Sequence, residues 1–333
     1  MNQNTLKTLC SLPGISGREH EVREYILSEI TPHCQSVEVD NLGNIIAFVK
    51  GAKPRKSKLL LAAHMDEVGL VITAKEGEFY RFAAVGGIDS AVLPAKRVQC
   101  GEHVGVIGAV PVHLQKDKGT LSDISDMFID FGGAEVEIGS SVVFDSDWLD
   151  ISENLIGARA IDDRFGCAVL IDLIKKGVAA ARNETLDTYF TFTVQEELGC
   201  RGAKAVAMAV KPDVAIVVET TTAADTPDAK SDTEKVCELG KGACVPFMDK
   251  GAMYDKNLYE TVRALAKKKT LRVQTKHRVA GGNDASALAI YGGGAKVLAV
   301  SLPCRNLHSP CVVWDKRDAE SVEAIVSELL KTV

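Results

Sequence analysis

The chain has 333 residues, of which 46% are hydrophobic and 25% are charged, with a formal net charge of −6. This length predicts one large domain with a smaller one, and the acidic balance argues against a nucleic-acid groove. Nine cysteines without a C-x-x-C pair indicate free thiols in a reducing compartment. We recognise no signal peptide and no apolar run near the ~18 residues of a membrane span. We therefore expect a cytoplasmic protein with neither membrane nor nucleic acid as a partner.

The N-terminal part of the chain predicts a helix, a hairpin and a buried strand. Apolar residues at helical spacing predict a helix over 18–30, and two alternating runs at 37–40 and 44–49 predict a hairpin. The continuously apolar stretch 58–63 predicts a buried strand that ends at His64. In open α/β sheets, functional side chains collect at such strand ends.

The sequence changes character over about 70–155, where short valine- and glycine-rich alternating runs are interrupted by turn residues. This pattern predicts a small β-barrel or sandwich, with a short helix near Leu121. Beyond it, strands and helices alternate again, which predicts an α/β domain formed by 1–69 and 156–333 around an inserted all-β domain. The predicted helices there cover 163–176, 199–209, 255–268, 284–290 and 318–330. The predicted strands cover 186–194, 214–218, 272–276 and 295–300.

Candidate metal ligands stand where the predicted strands end or the predicted helices begin. They are two histidines and three carboxylates, namely His64, Asp162, Glu197, Glu219 and His308. This nitrogen and oxygen set suits Zn²⁺, Co²⁺ or Mn²⁺. Five ligands exceed what one tetrahedral ion with an open position needs, but they suit two divalent ions that share a bridging carboxylate. The chain is therefore predicted to be a metal-dependent hydrolase.

Three further assignments follow from the positions of the acidic residues. Asp162 stands in an Asp-Asp pair before a predicted helix, which makes it the natural bridging ligand. Glu196, beside the ligand Glu197, is the predicted proton shuttle. Asp66, two residues after His64, is predicted to orient the imidazole ring through its second nitrogen. Each motif alone has a simpler interpretation, as a helix cap, a solvated pair or a turn. Their coincidence at element boundaries favours the metal site.

Five motifs in order carry a resemblance to a known family. They are Ala-His-Met-Asp-Glu-Val-Gly at 63–69, Ala-Ile-Asp-Asp-Arg-Phe-Gly at 160–166, Val-Gln-Glu-Glu-Leu-Gly-Cys-Arg-Gly-Ala at 194–203, Gly-Gly-Asn-Asp-Ala-Ser at 281–286 and His-Ser-Pro at 308–310. Together they resemble the family 42 metallopeptidases, which comprise glutamyl, deblocking and tetrahedral aminopeptidases, some of them labelled endoglucanases. The resemblance covers essentially the whole chain.

The resemblance implies a division of the ligands between two metals. One metal would bind His64, Asp162 and Glu219, and the other would bind Asp162, Glu197 and His308. Glu196 would be the general base, and the peptide bond between Asp162 and Asp163 is expected to be cis. The insert 70–155, a barrel or PDZ-like unit, would be a dimerisation domain whose dimers build a hollow dodecamer. In related peptidases of the carboxypeptidase type, the accessory domain follows the Glu-Glu pair, whereas this insert precedes it.

Departures from the family pattern concern specificity more than the reaction. Position 219 is Glu where many members have Asp, Asn283 stands where Thr is common, and Asn306 replaces a frequent Tyr. An acidic substrate pocket would need a cation near the 281–284 loop, and Arg278 and Arg305 are the candidates by sequence.

The predicted reaction is removal of N-terminal residues from short peptides by metal-activated water. Two alternatives stay open at this point. The same metals would serve an amidohydrolase of acylated or blocked amino acids or peptides, and a non-catalytic metal-binding scaffold would need the ligands alone.

Overall fold

A computed structural model of the chain describes residues 1–51, 57–114, 122–177, 187–229 and 234–333. Most of their strands belong to one mixed sheet, and the others close into a six-stranded antiparallel barrel. The predicted class, a mixed α/β sheet with an inserted small all-β unit, is confirmed.

The strands are numbered in chain order. They are β1 (Ser36–Val39), β2 (Ile45–Val49), β3 (Lys58–His64), β4 (Gly69–Glu76), β5 (Phe79–Val85), β6 (Arg97–Cys100), β7 (His103–Gly108), β8 (Phe128–Asp130), β9 (Ser141–Phe144), β10 (Leu149–Asp150), β11 (Leu155–Ala158), β12 (Asp187–Thr193), β13 (Val214–Thr222), β14 (Ala243–Val245), β15 (Val273–Thr275), β16 (Lys296–Arg305) and β17 (Val312–Asp315). The helices are α1 (Gln3–Ser11), α2 (His20–Ile30), α3 (Ile161–Lys175), α4 (Arg201–Val210), α5 (Lys256–Lys269), α6 (Ala285–Leu288) and α7 (Lys316–Thr332).

The centre of the mixed sheet is parallel. Its strand order is β1-β2-β12-β3-β13-β16-β17-β11-β10, and β12, β3, β13 and β16 run in one direction. Thr193 lies opposite His64, and Glu219 lies opposite Ser301, so the carboxyl ends of these strands share one edge. This is the edge at which open α/β sheets bind ligands.

Continuous apolarity explains why these elements are buried. Helix α3 packs against β3 and β13, and its apolar side chains from Phe165 to Ile174 are buried. Strand β3 pairs with β12 and β13 along its edges and is covered by α3, and Leu59, Leu60 and Leu61 are all inaccessible to solvent.

The barrel has the strand order β4-β5-β8-β7-β6-β9 and its own apolar core, which includes Ile72, Tyr80, Ile107, Ile129 and Val142. Alternation along each strand sends these side chains inward and leaves others facing out. The strand after the barrel, β10, pairs with β11 in the mixed sheet.

Several elements differ from the sequence-based expectation. Helix α1 was not predicted, although Asn2 caps it and Leu6 and Leu9 are buried at helical spacing. Strand β16 extends to Arg305, five residues beyond the predicted end. The short helix expected near Leu121 lies outside the described residues, whereas a 3₁₀ turn covers Ile124–Asp126. All nine cysteines are free thiols, as predicted. None of the helices within the described ranges combines the length and apolarity that crossing a membrane requires.

Candidate metal centre

The predicted ligands converge on the carboxyl edge of the parallel strands. His64 ends β3, Glu219 lies near the end of β13, and Glu197 follows β12. His308 follows β16, and Asp162 lies in the first turn of α3. The sequence separates these residues by up to 244 positions, and the parallel order of the strands brings them together.

The first ligand group surrounds the Nε2 atom of His64. This atom lies 3.1 Å from Oδ1 of Asp162 and 3.6 Å from Oε1 of Glu219. The second group surrounds the Nε2 atom of His308, which lies 3.5 Å from Oδ2 of Asp162 and 3.2 Å from Oε1 of Glu197. The two carboxylate oxygens of Asp162 therefore face different histidines, as a bridging ligand requires.

The donor spacings fit metal ions. Zinc binds nitrogen and oxygen ligands at ~2.0–2.2 Å, which separates two donors of a tetrahedral site by about 3.3–3.5 Å. The four measured separations fall close to this spacing. The donor set contains imidazole and carboxylate groups, which suit zinc, cobalt and manganese.

The hydrogen bonds of both imidazole rings point to the same conclusion. Nδ1 of His64 lies 3.0 Å from the carbonyl oxygen of Asp66, and Nδ1 of His308 lies 2.7 Å from that of Gly87. A carbonyl oxygen only accepts, so each Nδ1 carries a proton, and each neutral ring directs the Nε2 lone pair at carboxylates. Either a second proton or a cation must lie between them. Accordingly, the buried Oε1 of Glu197 accepts no well-directed hydrogen bond from the part of the chain that the structure describes.

Electrostatics without a cation favours the protonated rings. Burial lowers the pKa of His308, but Asp162 and Glu197 outweigh this effect and raise the pKa to about 11. Burial also opposes the charge on His64, yet Glu219 and Asp162 raise its pKa well above the usual value. The pKa of Glu219 rises to about 8, because burial outweighs the attraction of His64. The metal-free ligand set thus holds protons that a cation would displace.

Asp66 contacts the His64 ring through two oxygens. Nδ1 of His64 lies 3.0 Å from the backbone carbonyl oxygen of Asp66 and 3.4 Å from Oδ1 of its carboxylate, and the orienting role predicted for this carboxylate stays a prediction. The carboxylate also accepts hydrogen bonds from the backbone amides of Glu196 and Glu197, at 3.0 and 3.1 Å. It also accepts one from the Ser16 hydroxyl at 2.6 Å. Asp66 therefore links the His64 loop to the loop that carries both glutamates.

Glu196 lies at the mouth of the ligand group, in a tight loop that leaves β12. The preceding residue, Gln195, has a φ of 55°, and this left-handed turn separates the glutamates from the strand. The Cys200 thiol donates to Oε1 of Glu196 across 3.3 Å. Burial, and then the charges of Asp284 and Glu219, raise the pKa of Glu196 well above its usual value. Cys200 and Asp284 were not among the predicted site residues.

Asp163 supports the first turn of α3. Its carboxylate accepts a hydrogen bond from the Gly166 amide at 2.9 Å, and a Cβ at Gly166 would lie 2.3 Å from this carboxylate. The peptide bond between Asp162 and Asp163 is cis, as the resemblance implied.

A cavity of about 360 Å³ adjoins the metal ligands. Beyond these ligands its wall includes Thr220, Val236, Pro246, Lys276, Gly282 and Leu307. Lys276 was missed in the sequence, where it follows a short strand without any motif. The two predicted cations lie elsewhere: Arg305 pairs with Asp225 at 2.7 Å, and Arg278 is exposed and donates to the Glu234 carbonyl.

Comparisons with known proteins agree with this arrangement. The family model described as M42 glutamyl aminopeptidase matches residues 43–325. A putative aminopeptidase of Acetivibrio thermocellus is 33% identical, and the match covers 98% of this chain and 97% of the relative. The lysyl aminopeptidase of Pyrococcus furiosus is 31% identical, over 98% and 96% of the two chains.

A solved structure shows the same fold. The TET1 peptidase of Pyrococcus horikoshii superposes with a TM-score of 0.87 at 31% identity, with 99% of each chain covered. It is described as able to assemble into a tetrahedron or a large octahedral shell.

Proposed function

Since the chain belongs to the M42 glutamyl aminopeptidase family, and is therefore a metal-dependent aminopeptidase, we propose that it removes N-terminal residues from short peptides at a dinuclear site. The observation that carries the dinuclear assignment is the orientation of the two oxygens of Asp162 toward different histidines. His64, Asp162 and Glu219 would hold one ion. Asp162, Glu197 and His308 would hold the other, with zinc or cobalt favoured over manganese by the imidazole ligands.

The ions and the protein groups have separate tasks. Bound divalent ions act as Lewis acids that polarise the scissile carbonyl and acidify water. Glu196 takes a proton from the attacking water and delivers it to the leaving amine, which a carboxylate of raised pKa does well near neutral pH. The Cys200 thiol, which donates to this carboxylate, and the hydrogen bond that the Glu196 amide donates to Asp66 hold Glu196 in place.

The assembly and location are also proposals. We assign residues 1–69 and 156–333 to the catalytic domain and residues 70–155 to a dimerisation domain. Placing one dimer on each edge of a tetrahedron yields a dodecamer, and the tetrahedral shell described for the P. horikoshii peptidase supports such an assembly. Nine free thiols support a cytoplasmic location. Neither alternative, the amidohydrolase or the scaffold, finds support among the relatives.

The decisive variant is Glu196→Gln, which removes the proton acceptor and retains the shape. After chelation and reloading with zinc, cobalt or manganese, metal analysis should find two ions per chain in both the wild type and the variant. Turnover of leucine p-nitroanilide should fall by about 10²–10⁴-fold in the variant, since general base catalysis contributes that much.

Two controls accompany this measurement. Glu320→Gln, on the exposed face of α7, should keep wild-type turnover. N-acetyl-leucine p-nitroanilide should be a poor substrate, because it lacks the free amine. Retention of most activity by Glu196→Gln would exclude Glu196 as the base, a single bound ion would exclude the dinuclear site, and preference for the acetylated substrate would favour the amidohydrolase.

A further inference from the structure

Lys276 places a buried cation in the wall of the catalytic cavity. Its side chain lines the same cavity as His64, Glu219 and His308, and the residue is only 9% exposed. The Nζ atom donates a hydrogen bond to the carbonyl oxygen of Ala280 at 2.6 Å. Across the described ranges of the chain, no carboxylate forms an ion pair with it.

Burying an ammonium group beside only a neutral partner is unfavourable in free energy. Lysine is almost never fully buried without an opposite charge, because desolvation of the ion costs several kcal/mol. A carbonyl oxygen satisfies one of its three donors and none of its charge. Because Lys276 lines the cavity, an anionic group of a molecule bound there would supply the missing partner.

A second polar group without a partner lines the same cavity. The hydroxyl oxygen of Thr220 is buried and forms no hydrogen bond with any residue that the structure describes. Native proteins seldom leave such groups unpaired, so a bound molecule or water is expected to pair with this hydroxyl. Thr220 directly follows Glu219, so the cavity offers a polar donor beside the metal ligands as well as the ammonium.

The strand order separates Lys276 from the metal ligands by a distance that suits a substrate. Glu219 on β13 lies opposite Ser301 on β16, and Ser301 lies opposite Cys244 on β14. The Lys276 amide donates to the carbonyl of Val245 on that same strand, β14, and Lys276 itself follows β15. Adjacent strands are ~4.8 Å apart, so three spacings separate the backbones by about 14 Å. Lys276 and the metal ligands therefore line the same cavity from different strands of the sheet.

We propose that the Lys276 ammonium binds the side-chain carboxylate of an N-terminal glutamate or aspartate, and that this contact gives the enzyme an acidic preference. The inference rests on the proposed peptidase function. Family membership alone leaves the preference open, because one relative is named for lysine. Arg278 and Arg305, the two cations proposed from the sequence, lie outside the cavity wall.

The test compares two substrates of equal shape. Glutamyl and glutaminyl p-nitroanilides differ in side-chain charge, and neither carries a C-terminal carboxylate. The wild type should hydrolyse the glutamyl substrate with a kcat/KM higher by about 10- to 100-fold, the size of one charge-assisted contact. Lys276→Met should bring this ratio close to one while the leucyl substrate is still hydrolysed. Lys276→Arg should keep much of the ratio, and Arg278→Met, a matched exposed cation, should keep all of it.

A binding measurement checks the same contact without turnover. Calorimetry with the metal-loaded Glu196→Gln variant should show tighter binding of L-glutamate than of L-glutamine, and adding Lys276→Met should abolish the difference. A wild-type ratio at or below one overturns the inference, even if the lysine variants fail to fold. The inference is also overturned if the only charge preference is for dipeptides with a free C-terminal carboxylate over the same dipeptides as amides. Lys276 would then bind the C-terminal carboxylate rather than a side-chain carboxylate. Failure to hydrolyse any free-amine anilide would instead refute the proposed function.

Discussion

His64 and His308 each contact a backbone carbonyl group through Nδ1. Each ring donates its Nδ1 proton to a carbonyl, from Asp66 in one case and from Gly87 in the other. Fixing the tautomer in this way leaves Nε2 as the atom that faces Asp162. Gly87 follows β5, so a loop of the barrel side of the chain orients a ligand that follows β16.

Metal affinity should therefore rise with pH. The metal-free protein holds a proton on Glu219 below its pKa of about 8, and it holds a proton on His308 below its pKa of about 11. A cation that binds these ligands must displace both protons. For each proton that is displaced, the metal affinity should rise about tenfold for every unit by which the pH rises. The slope of log affinity against pH should decrease above the pKa of Glu219. Calorimetric titration of the chelated protein with zinc, in buffers of different ionisation enthalpy, counts the released protons. An affinity independent of pH between about 6 and about 8 would contradict this ligand assignment.

At the scale of elements, Arg164 connects α3 to the N-terminal segment beneath the metal centre. The residue is inaccessible to solvent, and its guanidinium donates to the carbonyl oxygens of Leu9, Leu12 and Met65 at 2.5, 3.1 and 2.7 Å. It also lies 3.3 Å from Glu67, which Arg159 binds through both carboxylate oxygens. This network holds α1 and the loop after β3 against α3, and so positions His64.

Arg164→Met should destabilise the protein by about 3–5 kcal/mol. The substitution removes the donors and leaves the carbonyl groups and part of the Glu67 charge buried without partners. Urea unfolding followed by circular dichroism measures the loss. Lys75→Met is the control, because the ion pair of Lys75 with Glu135 is exposed and should contribute less than about 1 kcal/mol. Equal losses in the free energy of unfolding of the two variants would show that the buried network contributes no more to stability than an exposed ion pair.

At the scale of the whole molecule, the barrel presents apolar side chains on its outside. Val104 and Val106 of β7 alternate with buried residues and are 55% and 45% exposed. Both valines face the same side of the strand, so they would lie together in any interface formed by this face. The solved P. horikoshii peptidase is described as able to assemble into closed shells. Our proposal that residues 70–155 form a dimerisation domain predicts that this face is part of the interface.

Negative charges introduced on this surface should reduce the number of chains in the assembly. The double variant Val104→Asp with Val106→Asp should sediment as a smaller species than the wild type, because the interface would bury carboxylates without partners. Circular dichroism should remain unchanged, since both side chains point away from the barrel core. Val39→Asp, at an exposed position on the edge strand β1, serves as the matched control. An unchanged assembly mass in the double variant would exclude the barrel face as the interface.

The sequence predicted the fold class because periodicity is local. Buried parallel strands such as β3 are continuously apolar, whereas the barrel strands alternate, and both patterns are visible in short windows. The missed helix α1 is short and capped only by Asn2, so its signal was weak. The end of β16 was placed too early because Leu302 is followed by Pro303, although the strand continues through this proline.

By itself, the sequence determined which side chains are available as ligands and base, because the residue types and their positions at element boundaries are properties of the chain alone. The tertiary structure decided how they are used. It assigned the imidazole of His64 to the carbonyl of Asp66, gave the Asp66 carboxylate to the amides of Glu196 and Glu197, and selected Lys276 over Arg278 and Arg305 as the cation of the cavity. The geometry of these hydrogen bonds, and whether any described carboxylate lies near Lys276, depend on groups that are distant in sequence. Only the folded arrangement of the strands brings those groups together.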